Sequence, residues 1–202
     1  MMNNFDENWK PEFGTIYTWF AMDKFGRISV MVNNCFGDIP KAVLQMSNAE
    51  YILDSLNEYM WEESAGYSEY PESKNGKTIL DLYSYIRFEY VKCQNDLVKW
   101  VEERSLPEIE LSDYNLPSKK GFFVFHGVEG TNEGEDYPVG YEGNTVMGDY
   151  FRFLVPTIYA SISDFPEALQ RGIVVSDSID FTNARVIENK DINKYFTRRY
   201  KQ

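Results

Sequence analysis

"TIYTWFAMDKFGRISVMVNNCFGDIPKAVLQ" (residues 15–45) decides the fold class. Residues 15–23 are rich in β-branched and aromatic side chains, which suit a pleated, half-buried surface. "KFG" then supplies a turn at Gly26, and residues 27–32 resume the strand pattern, so a β-hairpin is predicted over 15–32. "NNCFGD" interrupts that pattern, and Pro40 follows. Proline lacks the N–H that a first helical turn leaves unpaired, so "KAVLQ" reads as a helix start, with Asp38 placing a carboxylate at its positive end. The same device recurs in "SDFPEALQ" (163–170), where Asp164, Pro166 and Ala168 repeat the pattern without wider internal similarity.

Working outward, "SNAE" (47–50) has the form of a capping box, with Ser47 as the cap and Glu50 reaching back. The helix it predicts, 48–62, puts Ala49, Ile52, Leu53, Leu56 and Met60 on one face. Residues 64–76 read as a loop. From Thr78 to about Arg104, the positions of Ile79, Tyr83, Ile86, Tyr90, Cys93, Leu97 and Val101 predict a second helical stretch, breakable at 94–96 and ended by Pro107 and Pro117. The remainder reads as β: strands at 121–125, 149–155, 157–162, 172–176 and 179–187, with a six-glycine loop over 126–148. The expected fold is therefore α+β: an N-terminal β-hairpin, central helices and a mostly antiparallel C-terminal sheet. We expect one domain over 1–202, with a basic tail at 190–202 that folds back on an acidic body.

Bulk properties narrow the function. With 202 residues and 43% apolar content, the chain can bury a sizeable core without staples. Cys35 and Cys93 form no paired motif and are expected to be free, buried thiols. The first residues carry no apolar signal core, and no run approaches 18 apolar residues, so a cytoplasmic protein with no membrane contact is expected. The net charge of −12 argues against direct nucleic-acid binding, which is dominated by Lys and Arg, and favours a basic partner.

Motifs of catalysis are sparse. There is no G-x-S-x-G, P-loop or H-E-x-x-H, and the single histidine, His126, reads as a strand-end residue. A cation site built from His126, Glu129, Glu133, Glu135 and Asp136 lacks the alternating spacing of a calcium loop, so no metal or other cofactor is expected. The informative feature is the outer face of the 48–62 helix. Glu50, Asp54, Glu58 and Glu62 recur every four residues, where like charges destabilise a helix, and no Lys or Arg occurs between Lys41 and Lys74. Tyr51 and Trp61 share that face. An aromatic anchor rimmed by carboxylates suits a basic protein surface. Glu129, Glu133, Glu135 and Asp136 lie in a second cation-free run, between Lys120 and Arg152, and form the second candidate contact region.

The stretches "WFAMDKFGRISVMVNNCFGDIPKAV" (19–43), "GFFVF" (121–125) and "YFRFLVPTIYASISDFPEAL" (150–169) resemble bacterial proteins of toxin–immunity loci. Size and acidity are similar to those of immunity proteins of contact-dependent growth inhibition systems. The resemblance implies a non-enzymatic toxin inhibitor, a monomer or small oligomer, that binds one cognate basic toxin domain, typically a nuclease. It carries over no catalytic residue. Two alternatives stay open: a small hydrolase using carboxylates of the Gly-rich region 126–148, and an acidic nucleic-acid mimic.

Overall fold

The computed structural model describes residues 5–129 and 136–201. In chain order the N-terminal half forms β1 (Thr18–Met22), β2 (Ile28–Val32), α1 (Lys41–Leu44), α2 (Ala49–Met60), β3 (Thr78–Leu80), β4 (Tyr83–Ser84) and α3 (Gln94–Arg104). The C-terminal half forms α4 (Leu116–Lys120), β5 (Phe123–Gly127), β6 (Pro138–Val139), β7 (Tyr150–Pro156), α5 (Glu167–Gln170), β8 (Val174–Val175), β9 (Val186–Ile187), α6 (Ile192–Tyr195) and β10 (Arg198–Arg199). The main sheet runs β10-β8-β1-β2-β5-β7-β3, with β9 also on β7, and β4 and β6 make a separate ribbon.

The fold is α+β with a mostly antiparallel sheet, as expected. The predicted hairpin is β1–β2, but it lies in the middle of the main sheet and joins it through parallel pairings, β1 with β8 and β2 with β5. Central strands are covered on both faces, which explains their near-continuous apolar runs. Buried Asp23 sets the hairpin turn: its Oδ1 accepts the Phe25 and Arg27 N–H groups, and its Oδ2 accepts that of Phe181. Across the core, the Trp19 Nε1–H donates to Tyr150 Oη at 3.0 Å, and that hydroxyl donates to the Asp38 carbonyl at 3.0 Å.

The two proline motifs do start short helices. Pro40 and Pro166 both occupy the N-cap, with φ/ψ of −57/137° and −53/142°. The carboxylates behave differently from the reading above. Asp38 pairs with Lys10 at 2.6 Å, and α1 is capped from outside, its Lys41 N–H donating to Asn193 Oδ1 at 2.7 Å. Asp164 instead closes a capping box with Ser161 in the 3-10 turn ahead of Pro166.

Other expectations fail for identifiable reasons. The capping box at 47–50 does not form; Asn48 is the N-cap, without a side-chain bond. Residues 78–93 are not helical. Asp81 is held by Arg152 at 2.7 Å and Arg185 at 2.6 Å, and β3 pairs with the edge of β7, so tertiary pairing overrides the apolar spacing. Only Leu97 and Val101 of that stripe bury on a helix. Pro117 starts α4 rather than ending a helix. Residues 157–161 contribute no strand, and of 179–187 only β9 pairs. Both cysteines are free, but Cys93 is exposed and Cys35 only half-buried.

Candidate partner-binding groove on α2

The apolar face of α2 is buried as predicted: Ala49, Ile52, Leu53, Leu56 and Met60 all enter the core. α5 lies against the same helix because the next turn ends in Gly172. A Cβ there would sit 2.8 Å from both Ile52 Cγ1 and Leu56 Cδ1, so any other residue would have to push the two elements or these side chains apart. Between α2, the 64–67 loop and α5 runs a groove of about 1110 Å³. Glu50, Tyr51, Asp54 and Glu58 line one wall, and Arg171 stands among the lining of the other.

The electrostatics of this wall are those of unneutralised like charges. Among the described residues, no ion pair within 4.0 Å involves Glu50, Asp54 or Glu58. Partial burial, reinforced by Glu50 and Glu58, pushes the Asp54 carboxyl above the usual carboxylate range. Burial and then the Glu50 and Asp54 charges push the Tyr17 hydroxyl up in the same way. Tyr51 projects with 67% of its surface exposed.

Two residues assigned to this face do not line the groove. Trp61 is the C-cap, and its ring packs against the core. Glu62 has turned into the left-handed region, with φ at 61°, and its Oε1 accepts from Lys120 Nζ at 2.5 Å. The helix ends at Met60, so neither residue continues the ladder.

The second candidate region is not a free acidic surface where it is described. Asp136 is 1% exposed; its oxygens accept from the Ser84 hydroxyl and from the Ile86 and Glu129 N–H groups, so it cannot reach a partner. Glu129 is half-buried, with Arg87 Nη2 at 3.6 Å. Glu133 and Glu135 lie outside the described residues. Among the described residues, no three His, Cys, Asp or Glu side chains are placed to hold a metal ion. The groove on α2 is where carboxylates without an ion-pair partner and exposed Tyr51 come together among the described residues.

No family model, curated protein or solved structure matches this chain. The groove therefore has to be read from its own chemistry. The sequence reading identified one wall and missed the other. Tyr67, Leu169 and Arg171 come from a loop and from the helix behind the second proline motif. The signal was present in "DFPEALQRG" (164–172), where a short helix is followed at once by a glycine, but nothing in the sequence states that this glycine faces α2.

Proposed function

We propose that this chain is an immunity-type binding protein that neutralises a basic toxin domain in the cytoplasm by seating it on the α2 groove, without catalysis and without a cofactor. The observation that carries the reading is the unpaired row of Glu50, Asp54 and Glu58 beside exposed Tyr51. Successive carboxylates climb the helix by about 6 Å per step, a spacing that side chains at alternate positions of an extended basic strand would match. The toxin class comes from the resemblance of residues 19–43, 121–125 and 150–169. No helix among the described residues is long and apolar enough to cross a membrane.

The test is neutralisation. If a large secreted protein is encoded beside this gene, its C-terminal domain is co-expressed with this chain, and survival and co-purification are measured. In vitro, the combined Glu50→Gln, Asp54→Asn and Glu58→Gln variant should keep its fold. Its association should slow at least about tenfold at low salt, and its salt dependence should flatten, because exposed charge acts on the encounter rate. Tyr51→Ala should instead raise the off-rate. A triple variant that associates at the parent rate across salt concentrations overturns the assignment to this groove. Competition by duplex DNA for the same toxin surface would mark the carboxylate row as a phosphate mimic.

A further inference from the structure

The β4–β6 ribbon meets the main sheet at a polar cluster, part buried and part exposed, that the α2 groove does not use. Its centre is His126 on β5, 9% exposed, with the rings of Phe153 and Phe151 at 5.0 and 6.1 Å. Arg87, in the turn after β4, places Nη1 3.2 Å from His126 Nδ1. A guanidinium can only donate, so Nδ1 must be the acceptor and the ring must be neutral with its proton on Nε2. Arg87 also faces Glu129, while Asp136 ties Ser84 and Ile86 on one side to Glu129 on the other. We propose that Arg87, His126 and Glu129 form an acid-sensitive latch that holds the β4–β6 ribbon against the main sheet. A proton on Nδ1 would put two cations about 3.2 Å apart, one of them on a ring that is 9% exposed, while Arg87, with 43% of its side chain accessible, can swing out to water; acid therefore favours the arrangement in which Arg87 has left.

The charged groups around the latch set its direction. Burial first, and then Arg87, lower the imidazole from 6.5 to about 3 in the closed form. In the open form the ring regains its ordinary value, binds more protons, and favours opening as pH falls below 6.5. Asp113, Glu129 and Asp136 are pushed up, chiefly by desolvation, with Arg87 opposing the rise. They take protons in the closed form first and so oppose the histidine in acid. Its protonation alone raises the opening constant about tenfold between about pH 7.5 and pH 5.5.

Amide hydrogen exchange on the whole chain, corrected for the intrinsic pH dependence of exchange, tests this. The reporters are the Tyr85, Ile86 and Glu129 amides, which donate to Tyr137, Asp136 and Asp136. The references are Phe20 and Met31 in the central strands. We expect the reporters to lose about tenfold in protection relative to the references over that range, and His126→Gln to abolish the pH dependence. Arg87→Met, which keeps the histidine, should expose the reporters already at neutral pH and weaken the further effect of acid. A flat parent profile, an equal loss at Phe20 and Met31, an undiminished slope in His126→Gln or an unchanged profile in Arg87→Met would each overturn the latch.

Discussion

Glu62 closes α2 in a conformation that usually belongs to glycine. Its N–H donates to the Tyr59 carbonyl at 3.2 Å, and the next N–H, from Glu63, donates to the Glu58 carbonyl at 2.9 Å; together these form the paired bonds of a Schellman terminus. A side chain in the left-handed region costs about 1 kcal/mol. Its carboxylate offsets that cost by meeting Lys120, which is 4% exposed and lies 5.5 Å from the centre of the Tyr70 ring. Glu62→Gly should therefore relieve the backbone yet destabilise the protein by about 1–3 kcal/mol, less than for a fully buried pair because Glu62 is half-exposed. Adding Lys120→Met removes the stranded cation and should bring stability back to within about 1 kcal/mol of the parent. Urea unfolding of the two variants decides it. A double variant no more stable than Glu62→Gly alone would show that the ion pair does not hold this terminus.

At the scale of elements, the groove exists because α2 and α5 approach closely at Gly172. Gly172→Ala puts a methyl group 2.8 Å from Ile52 Cγ1 and Leu56 Cδ1. The Leu56 tip can swing aside, but Ile52 Cγ1 sits next to its own Cβ and can yield only partly in a packed core, so we expect a loss of about 1–2 kcal/mol. Both walls of the groove would shift, so binding of the proposed basic partner should weaken although no carboxylate has changed. Parent-like thermal stability and affinity together would refute this account. The hairpin and α2 were legible in the sequence because one local pattern dominates each: two runs rich in β-branched and aromatic residues around the Gly26 turn in 15–32, and a single apolar stripe with an opposed acidic face in 48–62. Residues 78–93 were misread because their apolar spacing is compatible with a helix, while the features that fix them, the Asp81 contacts with Arg152 and Arg185 and the pairing with β7, join positions 71 or more residues apart. Trp61 and Glu62 were misplaced for a smaller reason. Helical phase was extended two residues past Met60, the last helical residue, and a non-glycine side chain in the left-handed region gives no sign of itself in sequence.

Over the whole molecule, an excess of acidic charge is folded around a short basic closure. The tail was expected to fold back, and it does so as β10 on β8, with Arg198 meeting Asp177 at 2.7 Å and Lys201 meeting Glu167 at 2.6 Å. Two different forces are available to hold it. One is the charge complement between these exposed pairs and the net charge of −12. The other is Phe196, 1% exposed and packed edge-on against Trp19 with ring centroids 5.3 Å apart. Exposed ion pairs contribute little and are screened by salt, whereas a buried ring is not. Phe196→Ala should cost about 3–5 kcal/mol and loosen the β10 edge to a similar extent at all salt concentrations. Arg198→Gln combined with Lys201→Gln should cost far less, and its deficit should vanish near 1 M NaCl, where the screening length is roughly 3 Å. Thermal unfolding of both variants at low and high salt separates the two forces. If the charge variant is the more damaging at high salt, the tail is held by its side-chain pairs as geometric clamps, and burial of Phe196 is not what closes the sheet.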